Sequence, residues 1–125
     1  MLNKKIKITA IPISMLAELN ETKTAKLIWD SLPINGKAST WGDEIYFGIS
    51  LKAEDEKPQE VVQLGDLGYW VPGTAFCIFF GKTPSSRGDE IRPYSPVTVF
   101  GKLLGDPKEF KKVKDGTRIV IERVE

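Results

Sequence analysis

The 125-residue chain carries 18 Lys and Arg residues against 17 Asp and Glu residues, a net charge of +1. This balance argues against the broad basic surface that binding to nucleic acid or to an anionic membrane requires. The chain has no His and a single Cys, Cys77, which excludes an internal disulfide and any metal site built from His or from several thiols.

These counts also limit the chemistry that the protein can perform. Without His, neither a Ser-His-Asp triad nor a Cys-His pair can form, so a reaction would depend on carboxylates, Lys, Arg, Tyr or hydroxyl groups. Cys77 lies in an apolar run and is expected to be buried. We therefore expect no cofactor and no metal, no nucleic-acid or membrane partner, and leave the oligomeric state open.

The N-terminal stretch MLNKKIKITAIPISML bears on localisation. It is interrupted by Lys residues and Pro12, and it lacks both the apolar core of a signal peptide and the ~20 apolar residues of a membrane span. These features predict a cytoplasmic protein. The chain has only five Asn and Gln residues but abundant Lys and Glu, a composition that favours a thermophilic source.

The first third of the chain predicts a strand and a helix. Residues 5–12 alternate Ile with Lys, which is typical of a half-buried strand. Residues 20–36 combine an apolar helical stripe with signals for a start and a stop. These signals are Asn20 or Thr22 at the start, and Pro33 and Gly36 at the end.

The remaining two thirds predict short strands separated by turns. After a break at Gly42-Asp43, residues 45–51 place apolar side chains at every second position, which predicts a strand. Residues 52–60 are a charged loop, and further strands flank turns at Gly65-Asp66 and Pro72-Gly73. The C-terminal part predicts a strand at 95–106 with a bulge or bend at Gly101, a short helix opened by Asp106-Pro107, and a last strand at 117–124.

Several phrases resemble cyclophilins. Residues 21–28 (ETKTAKLI), 76–80 (FCIFF) and 98–106 (TVFGKLLGD) are similar to segments of that family and occur in the same order. WGDEIYFGI, GDLGYWVPGTAFCIFFGKTP and SPVTVFGKLLGD resemble more closely a compact bacterial and archaeal cyclophilin-like family of uncharacterised function. The resemblance implies a single mainly β domain over residues 1–125, a small closed eight-stranded cyclophilin-like barrel with one main α-helix and a short second helix.

The residues that cyclophilins use for catalysis are not matched. Their Arg lies in a Phe-His-Arg segment soon after the first helix, whereas the corresponding STWGDEIYF contains no Arg. The resemblance therefore implies a barrel that binds a peptide or small molecule in an aromatic-lined groove. The alternative is a divergent prolyl isomerase in which Arg87 or Arg92 polarises the imide bond.

Two sets of candidate residues follow. If Arg87 and Arg92 have no catalytic role, each could form an exposed ion pair with Asp89 or Glu90. Such a pair would stabilise the fold by only about 0–1 kcal/mol. Strand alternation places one of Tyr46 and Phe47, and one of Tyr69 and Trp70, in the core. The ligand-binding candidates are Trp41, Tyr46, Phe79, Gly81, Thr83, Pro84, Arg87 and Ser95, and the catalytic candidates are Arg87, Arg92, Glu44 and Glu90.

Overall fold

A computed structural model describes residues 4–124; residues 1–3 and 125, which the single-domain prediction includes, lie outside the described residues. Within that range the chain forms nine strands, one α-helix and two 3-10 helices. The strands are β1 (Lys5–Ala10), β2 (Ile13–Leu19), β3 (Ile34–Lys37), β4 (Ser39–Thr40), β5 (Glu44–Gly48), β6 (Asp66–Trp70), β7 (Ala75–Phe79), β8 (Thr98–Leu103) and β9 (Arg118–Arg123). The helices are α1 (Lys23–Ser31) and the 3-10 helices Val71–Gly73 and Pro107–Lys112.

The strands form one antiparallel sheet that curls into a nearly closed barrel. Their order is β3-β9-β1-β2-β8-β6-β7-β5-β4, so the two edge strands, β3 and β4, are neighbours in the sequence and only Ala38 separates them. Gly36 of β3 lies against the Phe47 ring of β5, since a Cβ added there would be 3.0 Å from Phe47 Cγ. The mainly β barrel is confirmed. The described strands number nine where eight were predicted, because the chain breaks between β3 and β4.

Both faces of the sheet are buried around β7. Strand alternation sends Phe76 and Ile78 into the barrel interior, while Cys77 and Phe79 point outward. A second apolar cluster covers that outer face, and it includes Val62, Ile91 and Val97 from the loops. The segments that provide the cover are tied by bridges between Gln59 and Val97 and between Val62 and Ile91. The outer face of β7 therefore lies under a covering layer.

Helix α1 begins at the predicted cap and ends at the first predicted stop signal. Thr22 is the N-cap, and its side chain accepts a hydrogen bond from the Ala25 amide at 3.0 Å. Asn20 supports the cap by accepting a hydrogen bond from the Thr22 hydroxyl at 2.7 Å. The helix stops before Pro33, which cannot donate to a helical carbonyl. Gly36, the second predicted stop signal, lies farther along the chain within β3.

The rest of the chain differs from expectation at several strands. The strand predicted before the Gly65-Asp66 turn does not form, since Val62 makes only an isolated bridge there, and β3 and β4 were not predicted. The sequence pattern did not predict β2, which pairs with β1 and β8. The short C-terminal helix is present as the 3-10 helix Pro107–Lys112, and Asp106 caps it as expected. A register shift between β6 and β8 lies beside Gly101, where a bulge was predicted. The longest described helix has nine residues, and none of the described helices could span a membrane.

Candidate functional site

A cavity of about 310 Å³ opens on the outer face of β5, β6 and β7. Pocket volumes of roughly 300–1,000 Å³ are typical of small-molecule sites, so this one suits a small ligand or a single side chain. The residues that line it are mostly apolar or aromatic. They are Trp41, Glu44, Tyr46, Trp70, Cys77, Pro93, Tyr94 and Val97.

Strand register brings the sheet-borne residues together. Glu44 and Tyr46 are two positions apart on β5 and therefore share its outer face, and Tyr46 lies opposite Cys77 of β7. Trp41 is returned to the same face by a tight turn, in which its amide donates to the Glu44 carbonyl at 2.9 Å. Gly42 in that turn has φ +60°, a conformation that glycine adopts without a steric penalty.

Tyr94 closes the cavity from the covering loop. Its ring stands edge-on to two indoles, with centroids 6.0 Å from Trp41 and 5.8 Å from Trp70. The interplanar angles are 71° and 87°, so the rings form walls that meet at steep angles. The Trp70 indole N–H donates to Ser95 Oγ at 2.6 Å, which ties the β6 wall to the loop. Tyr94 itself is 73% exposed and lies at the mouth.

Glu44 forms the polar part of the floor. The residue is only 6% exposed, and its Oε1 has no hydrogen-bond partner, the only such buried side-chain oxygen or nitrogen among residues 4–124. Burial raises the pKa of Glu44 to about 7, and the neighbouring Cys77 thiol opposes this shift only in part. Burial, and then the charge of Glu44, raises the pKa of the Cys77 thiol well above its ordinary value. The thiol is therefore neutral at physiological pH and unsuited to act as a nucleophile.

The other catalytic candidates lie outside the cavity. Arg87 is exposed, and the Arg92 guanidinium is bound by the Glu90 carboxylate through Nε and through Nη2 at 3.3 Å. Arg92 lowers the pKa of Glu90 by this hydrogen bond. Neither arginine lines the cavity, and Glu90 does not line it either. In the described range no three potential ligands among His, Cys, Asp and Glu come together to hold a metal ion.

The ligand-binding candidates fall into three groups. Trp41 and Tyr46 line the cavity, and Ser95 positions Trp70. Phe79 is fully buried in the outer cluster, beside Cys77 and below the covering loop. The remaining four do not line the cavity and belong to the loop that carries its far wall; they are Gly81, Thr83, Pro84 and Arg87.

Thr83 shows how this loop is held. Its hydroxyl donates to the Arg92 carbonyl and accepts from the Ser85 amide at 3.2 Å. Ser86 Oγ accepts from the Thr83 amide at 3.0 Å and from the Arg92 amide at 3.1 Å. These hydrogen bonds join the two ends of segment 83–92 and fix the position from which residues 93–95 reach the cavity.

Sequence reasoning did not name five of the lining residues as site residues: Trp70, Cys77, Pro93, Tyr94 and Val97. Tyr94 carried a usable signal, since it is a large aromatic residue between Pro93 and Pro96 in a polar loop. An aromatic side chain in such a loop needs a packing partner or a ligand. Cys77 and Val97 carried none, because a buried apolar residue at the base of a cavity resembles any other core residue.

The fold is a small antiparallel barrel with a cavity on its outer surface, which is the class of the cyclophilin-like barrels. A model of the Cyclophilin-like family matches residues 4–122, and the chain belongs to this family, as the sequence resemblance implied. No curated protein sequence matches it. Among solved structures it is similar to the hypothetical protein AF2241 from Archaeoglobus fulgidus, with 40% identity over 98% of this chain and 96% of that one and a TM-score of 0.83.

A more distant structural match is McbB in complex with tryptophan. It shares 16% identity with this chain at a TM-score of 0.72, over 94% of this chain and 44% of McbB. At 16% identity, this match shows only that the two proteins share a fold.

Proposed function

We propose that the protein binds a small organic molecule, or one side chain of a peptide, in the cavity between the β5–β6–β7 face and Tyr94. The observation that carries this proposal is the lining itself. Four aromatic side chains, Trp41, Tyr46, Trp70 and Tyr94, surround one buried carboxyl group that has an unpartnered oxygen. Apolar and aromatic walls with a few convergent polar groups are typical of ligand sites.

The structural similarity to McbB supports this proposal at the level of the fold. McbB is described as a complex with tryptophan, so a protein that contains a barrel of this fold is known with a small molecule. The present chain corresponds to 44% of McbB, and the proposal depends on the cavity of this chain.

The alternative, a divergent prolyl isomerase, is not favoured by the positions of its candidate groups. A catalytic Arg must reach the imide of a proline held in an apolar pocket. The Arg92 guanidinium is instead bound by Glu90, and Arg87 is exposed on the loop. The arrangement favours binding without isomerisation.

Nuclear magnetic resonance of the tryptophan indoles tests this function. The chain has three Trp residues; Trp41 and Trp70 line the cavity, whereas Trp29 lies on α1 against Arg123 and serves as an internal reference. Titration with L-tryptophan, with indole and with a short Xaa-Pro peptide should shift the Trp41 and Trp70 indole signals saturably for at least one probe. The Trp29 signal should stay in place, and Trp41→Ala should remove the saturable response.

Two outcomes would contradict the proposal. A response of all three indoles in parallel would indicate non-specific binding, and no response to any of the probes would argue against a ligand site. The peptide sample also tests the alternative, since exchange spectroscopy reports cis–trans interconversion of its Xaa-Pro bond. Acceleration by the protein that is lost in Arg92→Ala or Arg87→Ala would favour the isomerase.

A further inference from the structure

The cavity contains an acidic side chain without a positive partner. Glu44 is 6% exposed and its Oε1 is unpartnered. The other ionisable side chains of the lining are Tyr46, Cys77 and Tyr94, and the described lining residues include neither Lys nor Arg. No cation within residues 4–124 contributes to the pKa of Glu44. An ionised carboxylate in such surroundings is costly unless a counter-charge approaches it.

The aromatic walls of the cavity are suited to an organic cation. The faces of Trp and Tyr rings attract cations, and an aromatic box is the usual receptor for alkylated ammonium groups. Trp41 and Trp70 each stand at a steep angle to Tyr94, so the rings enclose a volume instead of offering one flat stacking surface. The base of that volume is the Glu44 carboxyl.

We propose that the ligand carries an alkylated ammonium head, which fills the aromatic box and forms an ion pair with Glu44. This inference rests on the proposed function and names the ligand class of the same cavity. The head could belong to a free small molecule or to a methylated lysine side chain of a peptide. Both sources share this chemistry, and the cavity volume of about 310 Å³ accommodates a compact head group.

The pH dependence of binding follows from the groups that face the carboxyl. Cys77 faces it from β7, Tyr46 lies beside it on β5, and Tyr94 and Val97 approach from the covering loop. Because the Cys77 thiol is neutral, Glu44 is the group that changes charge near pH 7. With a Glu44 pKa of about 7, a permanent cation should bind roughly 30-fold more weakly at pH 5.5 than at pH 8.

The experiment compares two probes of the same shape. Choline and its neutral isostere 3,3-dimethylbutan-1-ol are titrated at pH 8, with the indole signals of Trp41 and Trp70 as readout. We expect choline to bind at least tenfold more tightly than the isostere. The difference should disappear in Glu44→Gln and persist in Glu122→Gln, a matched change at an exposed position on β9. If Glu44→Gln does not fold, the pH series on the unmodified protein replaces it.

The outcomes separate this inference from the proposed function. Equal affinity for choline and the isostere would overturn the cationic ligand and leave the cavity as a binding site. The same conclusion would follow if neither probe bound while indole or tryptophan shifted the two cavity signals. No response to any probe would overturn both. If choline binds as expected, a peptide with trimethyllysine that binds more tightly than choline, and more tightly than its unmethylated form, assigns the head to a peptide; otherwise it belongs to a free small molecule.

Discussion

Replacing Glu44 with Gln should remove a large part of the pH dependence of stability. Burial raises the pKa of Glu44 in the folded protein to about 7 from an ordinary value of 4.5. Below pH 4.5 the carboxyl is protonated in both states and its neutral form fits the cavity floor. As the pH rises from 4.5, the unfolded chain loses this proton while the folded protein keeps it, so the free energy of unfolding falls until the pH passes about 7.

The size of this effect can be worked out. Each pH unit in that interval corresponds to about 1.36 kcal/mol, so the free energy of unfolding falls by about 3 kcal/mol between pH 4.5 and pH 8 because of Glu44 alone. Gln has a similar shape and does not titrate. The free energy of unfolding of Glu44→Gln, relative to the unmodified protein, should therefore rise by about 3 kcal/mol over the same interval.

Urea unfolding at pH 4.5, 6 and 8, followed by tryptophan fluorescence and circular dichroism, measures this difference. The comparison cancels the titration of carboxylates that both proteins share, and Glu122→Gln controls for the loss of one negative charge. Stability curves of Glu44→Gln and the unmodified protein that run parallel from pH 4.5 to pH 8 would refute the reasoning.

Three further substitutions test contacts that hold the fold, each by urea unfolding. Gly68→Ala should cost about 1–3 kcal/mol, because its Cβ would meet Val97 Cγ2 at 2.8 Å between β6 and the covering layer. Tyr69→Phe should cost about 1–2 kcal/mol, because the buried hydroxyl donates to the Leu51 carbonyl at 2.6 Å. Glu56→Ala should cost about 1 kcal/mol and speed hydrogen exchange in the first turn of α1, because the carboxylate accepts from two amides there at 3.0 and 3.1 Å.

Matched controls make these changes interpretable. Gly48→Ala adds a methyl group on β5 where nothing lies within 4 Å, Tyr46→Phe removes a hydroxyl from a ring that is 37% exposed, and Glu54→Ala removes an exposed carboxylate near Glu56. Each control should change the free energy of unfolding by less than about 0.5 kcal/mol. A control that costs as much as its counterpart would show that the contact named for that pair is not the cause.

The parts of the fold that were predictable depend on local patterns. Alternation around residues 45–51 correctly separated buried Phe47 from exposed Tyr46, because neighbours on a strand must face opposite sides. Strand β2 was missed because its outward face also carries an apolar residue, Leu16, which is 42% exposed and blurs the alternation. That strand is specified mainly by its pairing with β1 and β8, which a local pattern does not contain.

The same distinction applies to the cavity. Trp41 could be singled out because it precedes a Gly-Asp turn, and that turn brings it beside Glu44. The far wall depends on bridges that join Val62 to Ile91 and Gln59 to Val97, pairs separated by about 30 residues or more along the chain. The sequence therefore predicted a loop near the site. It did not predict that Tyr94 is the residue of this loop that reaches the cavity.

The way in which β3 and β4 end the sheet also limits how partners can be recognised. Many proteins capture an extended peptide by adding it as a further strand to a free sheet edge, where unpaired amides and carbonyls supply the affinity. Here the edge strands have four and two residues, and Ala38 alone joins them, so the outward backbone offers only a short template. Strand addition is therefore a poor route to peptide binding here, which leaves side-chain contacts such as those at the proposed aromatic site.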